Sequence, residues 1–245
     1  MSDLFSLQGK TALVTGANTG IGQAIAISLA QAGAEVICAG RSSVAETLKT
    51  IADTNGKARG LLLDLADPMA AAAIVEGQGP LDILVNNAGI IRRENAVDFT
   101  EADWDDVMDV NLKAMFFLCQ AFARNALKGG SIINIASMLS FQGGIRVASY
   151  TASKSGVAGI TKLLANEWAA KGITTNAIAP GYIATNNTAL LQADPVRNKA
   201  ILERIPAGRW GAPSDIGGTA VFLASDAAKY INGAIINVDG GWLAR

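Results

Sequence analysis

The chain has 245 residues, of which 50% are apolar and 17% are charged, and its formal net charge is −1. A chain of this length is ample to bury a core, and one large α/β domain fits it better than two small ones. The near-neutral charge disfavours binding to nucleic acids, and no apolar run reaches the roughly 18 residues that span a bilayer. The sequence contains no histidine, which excludes Ser-His-Asp hydrolysis, His-Glu-x-x-His zinc sites and histidine proton shuttles.

The N-terminal segment and the cysteines predict a cytoplasmic protein. Residues 1–7 lack the basic start and the long apolar stretch of a signal peptide. Cys38 and Cys119 both lie in apolar runs, and in a reducing compartment two such residues are expected to be buried free thiols. We therefore expect no disulfide and no metal site.

Short apolar runs alternate with longer helix-like stretches along the chain. The short runs are almost continuously apolar, which is typical of strands buried on both faces of a parallel sheet. Their alternation with helices predicts right-handed βαβ units and a Rossmann-type, doubly wound α/β sheet in a single domain. The predicted strands are residues 11–15, 35–39, 60–63, 81–86, 131–136, 174–179 and 234–238. The clearest predicted helices are residues 21–32, 101–127 and 149–170.

The alternation pauses between residues 181 and 210, where a polar and partly helical segment follows a predicted strand. Ligands of doubly wound sheets bind beyond the carboxyl ends of the strands, so an insertion at this point is a candidate substrate lid. The alternative is an ordinary surface loop. We favour the lid.

A glycine-rich turn joins the first predicted strand to the first predicted helix. Residues 15–22 read TGANTGIG, with the glycines spaced G-x-x-x-G-x-G. Glycines in this setting allow a tight turn and let a pyrophosphate approach the backbone at a helix N-terminus. The strand before the turn and the helix after it therefore predict a dinucleotide site.

The residues at the end of the second predicted strand indicate whether the protein prefers NAD(H) or NADP(H). An NAD enzyme commonly carries a carboxylate here for the ribose hydroxyls, whereas a nearby arginine suits a 2′-phosphate. Gly40 occupies the expected place of the carboxylate, and Arg41 with Ser42 could bind a phosphate. The local chemistry favours NADP(H). The alternative is that Arg41 is a solvated surface charge.

Polar residues also follow two other predicted strands. Asp64 follows a run of three leucines, and the sequence Asn-Asn-Ala-Gly occupies residues 86–89. Either segment could cap a helix or form a turn. Because both lie at the carboxyl ends of strands, both are also expected to line the nucleotide crevice.

Tyr150 and Lys154 lie four residues apart in a predicted helix, with Ser137 thirteen positions upstream. A spacing of four places two side chains on one helix face, so an ammonium can lie beside a phenol and favour its ionised form. A free tyrosine, with a pKa of about 10, is a poor acid or base at neutral pH without such help. In a chain without histidine, this pair is the best candidate for acid/base chemistry.

Together these motifs resemble the short-chain dehydrogenase/reductase family, and the resemblance covers essentially the whole chain. It implies a single-domain Rossmann-type fold with about seven parallel strands, an NAD(P)(H)-dependent oxidoreductase and a homotetramer. The motifs that carry it are the glycine turn, Asn-Asn-Ala-Gly at 86–89, Asn111, Ser137, Tyr150 with Lys154, and Pro180 with Gly181.

The resemblance also implies a role for each catalytic residue. Tyr150 would be the general acid in ketone reduction and the general base in alcohol oxidation. Lys154 would lower the pKa of Tyr150 and bind the nicotinamide ribose, while Ser137 would hydrogen-bond the substrate oxygen. Asn111 would hold a water that links Lys154 to solvent. Together with Tyr150 and Lys154, the implied cofactor contacts are Gly16, Asn18, Thr19, Gly20, Ile21, Gly22, Arg41, Ser42, Asp64, Leu65, Asn87, Ala88, Gly89, Pro180, Gly181, Ile183 and Thr185.

Longer runs resemble one subgroup of this family, whose members interconvert a keto and a hydroxyl group on deoxy sugar acids of uronate and pectin breakdown. The similar runs are residues 86–94, 136–147, 179–188 and 238–245. The resemblance implies a small sugar acid as the substrate. NAD(H) is the usual expectation in this subgroup, but the chain departs from it at residues 39–43, so the cofactor preference cannot be carried over.

Three arginines and two asparagines are candidate ligands for a sugar acid. The fork of an arginine suits a carboxylate, and asparagine amides can bind hydroxyls. For each arginine the alternative is a salt bridge on the surface or at a subunit interface. The candidates are Arg92, Arg93, Arg146, Asn186 and Asn187.

Two other functions fit part of the pattern. A reductase of 3-ketoacyl groups or of another polyol or ketone would have an apolar or open pocket. A non-catalytic nucleotide-binding scaffold on the same fold would not need Ser137, Tyr150, Lys154 and Asn111 together. We also expect residues 242–245 to pack on a subunit interface or to close a neighbouring pocket.

Overall fold

A computed structural model describes residues 3–126 and 128–245 of the chain. Its strands are β1 (Thr11–Thr15), β2 (Glu35–Gly40), β3 (Lys57–Leu62), β4 (Ile83–Asn86), β5 (Gly130–Ile135), β6 (Ile173–Pro180) and β7 (Ile235–Val238). They form one sheet in the order β3-β2-β1-β4-β5-β6-β7, and every neighbouring pair is parallel. The chain runs outward from β1 through β2 to β3 and then returns to place β4 on the other side of β1. The sheet is therefore doubly wound, as predicted.

Helices cover both faces of the sheet. They are α1 (Gly20–Gln31), α2 (Ala45–Asp53), α3 (Pro68–Glu76), α4 (Glu101–Met108), α5 (Ala114–Asn125), α6 (Ala148–Trp168), α7 (Ala189–Ala193), α8 (Pro195–Leu202) and α9 (Ser214–Ala224). Alternate strand residues point to opposite sides: Val14 packs in the layer with α1 and α9, and Leu13 packs in the layer with α3, α5 and α6. Both side chains are fully buried, which explains the continuous apolar runs.

The expectation that every strand is buried on both faces is wrong for β3. This strand begins three residues before its predicted start, and the Leu62 side chain at its end is 76% exposed. As the first strand of the sheet, β3 has a neighbour on one side only, so fewer side chains cover it.

The predicted helix at 101–127 contains a π turn. Residues Asp109–Lys113 form this turn between α4 and α5, and the amide of Ala114 donates to the carbonyl of Asp109, five residues earlier. The last predicted residue, Leu127, lies outside the described residues. A π turn inserts an extra residue into a helix and often marks a functional site.

The segment after β6 leaves the sheet and returns to it at a defined point. Ala184 donates to the carbonyl of Gly211 at 2.8 Å, and Gly211 donates to the carbonyl of Tyr182 at 2.9 Å. Between these hydrogen bonds lie α7 and α8. The segment therefore begins and ends at neighbouring backbone positions, while its action as a lid stays a prediction.

Two further expectations concern the cysteines and the membrane. Cys38 and Cys119 are buried free thiols, as predicted. Within residues 3–126 and 128–245, no helix combines the length and the apolar character needed to cross a membrane. Of the N-terminal segment on which the signal-peptide prediction was based, Met1 and Ser2 lie outside the described residues.

Candidate active site

The carboxyl ends of the central strands open onto one cavity of about 550 Å³. Because all strands run the same way, the polar residues that follow them meet at this edge. Almost every predicted cofactor contact lines the cavity. They are Gly16, Asn18, Thr19, Gly20, Ile21, Arg41, Ser42, Asp64, Leu65, Asn87, Ala88, Gly89, Tyr150, Lys154, Pro180, Gly181, Ile183 and Thr185.

The glycine turn has the backbone geometry that a phosphate cradle requires. Gly16 and Gly20 have φ values of 65° and 60°, in the left-handed region that favours glycine. Gly22 does not line the cavity; a Cβ at this position would collide with the Gly16 carbonyl and the Asn87 side chain. The turn thus leads into the N-terminus of α1 with glycines at three positions, where the backbone can approach a ligand closely, which fits a dinucleotide pyrophosphate.

Hydrogen bonds to the segment after β4 hold the glycine turn in place. The Thr15 hydroxyl accepts hydrogen bonds from the amides of Asn87 and Ala88 at 3.0 and 3.1 Å. The Asn87 side chain in turn donates to the carbonyl of Thr15 at 2.9 Å. These bonds fix the segment after β4 against the glycine turn, so both border the nucleotide region as one unit.

The residues after β2 that are predicted to lie near the 2′-position of the ribose line the cavity. Asn18 of the glycine turn donates to the Ser42 hydroxyl at 3.0 Å. Arg41 and Ser42 are exposed and line the cavity, and Asp64 lines it from the neighbouring strand. No carboxylate occupies position 40, so a phosphate placed beside Arg41 and Ser42 meets hydroxyl and guanidinium donors.

Asn111 lies in the π turn and holds the loop after β4. Its side-chain oxygen accepts from the Ile90 amide at 2.8 Å, and its side-chain nitrogen donates to the Ile90 carbonyl at 2.9 Å. The same nitrogen donates to the Ser153 hydroxyl at 3.3 Å. The Asn111 side chain is therefore occupied by protein partners and does not line the cavity, and its link to a water stays a prediction.

Three catalytic candidates meet on the inner wall of the cavity. Ser137 follows β5, and Tyr150 and Lys154 lie on α6; all three line the cavity. The Lys154 ammonium donates to the Ile135 carbonyl at 2.6 Å and lies 5.7 Å from the centroid of the Tyr150 ring. The helix therefore does bring the tyrosine and the lysine together on one face, as their spacing predicts.

Burial controls the pKa values of this pair. Burial raises the pKa of Tyr150, while a hydrogen bond with Ser137 and the positive charge of Arg93 lower it. Burial also lowers the pKa of Lys154 to about 8. The net direction for the Tyr150 pKa is upward, opposite to the expected one, because burial outweighs the influences that lower it; the Lys154 ammonium is directed at the Ile135 carbonyl. Ser137 and Arg93 favour the tyrosinate, and the Lys154 ammonium lies near its ring.

A second serine, Ser140, links the turn that follows Ser137 to α6, which carries Tyr150 and Lys154. The Ser140 hydroxyl donates to the main-chain carbonyl of Lys154 at 2.6 Å. Ser140 ends the short turn that begins after Ser137, whose hydroxyl accepts from the Leu139 amide at 3.1 Å. The turn is thus attached directly to α6. Sequence reasoning missed Ser140, although its place three residues after Ser137 could have indicated it.

The three candidate arginines have different surroundings. Arg92 pairs with Asp103 and Asp106 at 3.2 and 2.9 Å. Arg146 lies 3.7 Å from a Glu94 carboxylate oxygen and has a φ of 63°. None of the three lines the cavity, so the structure does not bring them together as a substrate site.

Arg93 is the one of these arginines with a direct contact to the segment after β6. It donates to the main-chain carbonyl of Asn187 at 3.1 Å, and its charge acts on Tyr150. Asn186 and Asn187 line the cavity together with Thr188. The part of the cavity lined by these three residues is therefore polar, and Arg93 lies next to it.

Further lining residues were not predicted from the sequence. Ile90 and Val110 flank the Asn111 contact, and Ile135 supplies the carbonyl that holds Lys154. Ile90 directly follows the Asn-Asn-Ala-Gly motif, which was a usable signal. Val110 carried no signal because its position depends on the π turn.

Comparisons with known proteins agree with this geometry. A family model described as enoyl-(acyl carrier protein) reductase matches residues 16–243. A 2-dehydro-3-deoxy-D-gluconate 5-dehydrogenase of Dickeya dadantii is 58% identical over 98% of both chains. The chain belongs to the short-chain dehydrogenase/reductase family. As a member of this family it is an oxidoreductase that uses NAD(P).

Other members of the short-chain dehydrogenase/reductase family are similar over the full length. A Bacillus subtilis protein with the same name as the Dickeya enzyme is 57% identical over 100% of this chain and 99% of its own. A crystal structure from Agrobacterium tumefaciens has a TM-score of 0.96 and 66% identity, with complete coverage of both chains. That protein is provisionally described as a 2-deoxy-D-gluconate 3-dehydrogenase and carries bound NADP.

Proposed function

We propose that this protein is a 2-dehydro-3-deoxy-D-gluconate 5-dehydrogenase, which interconverts the C5 hydroxyl of that sugar acid and the C5 ketone of 3-deoxy-D-glycero-2,5-hexodiulosonate. The observation that carries the proposal is the layout of the cavity. Ser137 and Tyr150 line the same cavity as the glycine turn and the polar side chains of Asn186, Asn187 and Thr188. The names of the relatives at 57–58% identity support the same substrate.

The protein's own groups account for the proton transfer. When bound, the dinucleotide supplies or accepts the hydride. In reduction, the hydroxyls of Ser137 and Tyr150 hold the C5 carbonyl oxygen, and Tyr150 gives its proton to that oxygen as the new C–H bond forms. The tyrosinate that remains is stabilised by Ser137, by Arg93 and by the Lys154 ammonium near its ring. Oxidation uses the same groups in reverse.

Arg93 is the favoured ligand for the substrate carboxylate among the three candidate arginines. Arg92 already pairs with two carboxylates and Arg146 with one. Arg93 uses one nitrogen for the Asn187 carbonyl, so the rest of its guanidinium can bind an anion. Asn186 and Asn187 would bind hydroxyls, and residues 181–210 would close over the sugar acid as a lid.

The preferred cofactor in this proposal is NADP(H). Arg41 and Ser42 are open to the cavity, and the Asn18 side chain orients the Ser42 hydroxyl at 3.0 Å. Gly40 leaves no negative charge to repel a 2′-phosphate. NADP in the Agrobacterium structure supports this preference.

We also infer a cytoplasmic homotetramer. The exposed apolar side chains Trp104 on α4 and Leu163 on α6 offer contact surface for a second copy. Two buried free thiols suit a reducing compartment. Light scattering on the purified protein, with Trp104→Glu and Leu163→Glu variants, tests the assembly; a monomeric wild type would contradict it.

A substrate panel tests the function. Purified protein is mixed with the hexodiulosonate, a 3-ketoacyl thioester or a simple ketone, each with NADPH and with NADH. We expect loss of reduced-nicotinamide absorbance to be fastest with the hexodiulosonate, because only this substrate uses the polar end of the cavity. Faster turnover of the thioester would favour a ketoacyl reductase, and no turnover with either cofactor would refute the assignment.

A further inference from the structure

Trp242, three residues before the end of the sequence, is buried against its own chain. Its side chain is 4% exposed and packs with Met138, Ile201 and Ile205 in a small apolar cluster apart from the two sheet layers. Met138 directly follows Ser137, and the two isoleucines belong to the segment that leaves the sheet after β6. The expectation that residues 242–245 pack on a subunit interface or close a neighbouring pocket stays a prediction.

The backbone delivers Trp242 to this place through a specific turn. Gly240 and Gly241 have φ values of 63° and 89°, which other residues rarely adopt. The Asp239 carboxylate accepts from the amides of Gly241 and Leu243, each at 2.9 Å. The backbone is thus hydrogen-bonded immediately before and immediately after Trp242, which fixes where the indole lies.

Trp242 contacts two segments, the loop that follows Ser137 and the segment after β6. Its indole nitrogen donates to the Gln142 side chain at 3.3 Å, in the loop that follows Ser137. The Arg204 guanidinium lies 4.1 Å from its ring centroid, just after α8. The Tyr182 ring lies 4.8 Å away at 66° and forms a second edge contact with Trp210. Such aromatic and cation–π contacts contribute beyond their buried area.

We propose that Trp242 is a positioning residue that holds the segment after β6 in register with the Ser137 turn. Trp242, Tyr182 and Gln142 do not line the main cavity, so the indole acts through the residues that it contacts. The nucleotide end is attached separately, through Thr15 and Asn87. Loss of the indole should therefore loosen the segment after β6 and the Ser137 turn, and leave the glycine turn and the segment after β4 intact.

Hydrogen exchange on the full-length protein tests this without knowledge of the substrate. In Trp242→Ala, we expect amide exchange to rise at least about tenfold in residues 138–142 and 189–210, because local opening there becomes easier. Exchange in α1 and α2 should not change. Trp242→Phe should restore most of the protection. Tyr230→Ala is the matched control, because the Tyr230 side chain is fully exposed. Unchanged exchange near the cavity, or an equal rise in all segments, would overturn the proposal.

Kinetics provide a second readout, which depends on the proposed function. For Trp242→Ala we expect the KM for the hexodiulosonate to rise about tenfold while the Kd for NADPH changes less than about twofold. An equal loss of affinity for substrate and nucleotide would contradict a positioning role at the substrate end. If the wild type does not reduce this compound, the function fails, and the exchange measurement still decides the role of Trp242.

Discussion

The Tyr150 side chain is surrounded by groups that shift its pKa in opposite directions. Burial raises its pKa, whereas Ser137 and the charge of Arg93 lower it. A raised pKa keeps the phenol protonated at neutral pH, the form needed to donate a proton to a ketone oxygen. Alcohol oxidation needs tyrosinate and so gains from higher pH.

The first prediction is that catalysis depends on the Tyr150 hydroxyl. Tyr150→Phe should lower kcat by about 100-fold or more, since the proton donor is lost, while the Kd for NADPH stays nearly unchanged. Steady-state kinetics and fluorescence titration measure the two quantities. Tyr230→Phe is the control, because Tyr230 is fully exposed. Substantial activity of the Tyr150 variant would refute its role.

Lys154 makes stability depend on pH in a defined direction. Its folded pKa is about 8, while an unfolded lysine titrates near 10.4. Between these values the unfolded chain binds more protons, so the free energy of unfolding rises with pH. The raised pKa of Tyr150 acts in the opposite direction only above about pH 10, which sets the upper limit of the window.

The corresponding test compares wild type with Lys154→Met in urea at fixed protein concentration. From pH 8 to 10, wild type should gain on the order of 2 kcal/mol relative to the variant, at about 1.36 kcal/mol for each pH unit. Lys162→Met on the same helix is the control and should show no such trend, because Lys162 is exposed. A difference that stays constant with pH would contradict the lowered pKa.

Arg93 and Arg92 form a natural pair for testing carboxylate binding. Arg93→Lys should raise the KM for the sugar acid about tenfold or more, because one point charge replaces a fork that can bind two oxygens. Arg92→Lys should change it little, since Arg92 pairs with Asp103 and Asp106. Initial rates at varied substrate concentration distinguish the two variants. The reverse ranking would transfer the role to Arg92.

At the scale of elements, α1 is held close to α9, and this contact helps to place the glycine turn. A Cβ at Gly217 of α9 would collide with the Ser28 hydroxyl of α1, whereas the next residue, Gly218, has open space around it. Both glycines lie inside the same helix, where alanine is intrinsically favoured by about 1 kcal/mol.

These neighbouring glycines provide a matched prediction. Gly217→Ala should lower the free energy of unfolding by about 1–3 kcal/mol, because overpacking exceeds the gain in helix propensity. Gly218→Ala should raise it by up to about 1 kcal/mol. Urea unfolding of the two variants measures both changes. Equal effects would show that the α1–α9 contact adapts without cost.

The sequence predicted elements best where one rule determined the residues. Apolar runs located all seven strands, and the glycine turn located the start of α1. The prediction was wrong where the outcome depended on neighbours: β3 is exposed because it lies at an edge. Likewise, Arg92 is paired because α4 brings Asp103 and Asp106 to it, and residue spacing does not encode such a contact.

For the whole molecule, binding of a nucleotide should be visible as stabilisation of the fold. A ligand that binds only the folded state adds RT ln(1 + [L]/Kd), or about 2.7 kcal/mol at 100 times Kd. Arg41 and Ser42 line the cavity, and because we propose that they bind the 2′-phosphate, NADPH should raise the Tm more than NADH at equal concentration.

Arg41→Ala tests this preference. The substitution should weaken NADPH binding by about 10-fold to 100-fold, the effect of losing a hydrogen bond to a charged group, and should barely affect NADH. Thermal shift and titration measure both. Arg59→Ala is the control, because Arg59 lies on β3 and pairs with Gln78 at 2.9 Å, away from the cavity. Equal loss for both nucleotides would defeat the 2′-phosphate interpretation.

The π turn at Asp109–Lys113 makes the site depend on the number of residues as well as on their identity. Deletion of one residue there would let α4 and α5 join in an uninterrupted α-helix with little change in their relative orientation, because the π turn absorbs one extra residue locally, while the residues within the turn would face in other directions. Asn111 would then face away from Ile90, and the loop after β4 would lose its anchor. A deletion that makes the helix more regular would thus damage the enzyme, so chain length is itself under functional constraint at this point.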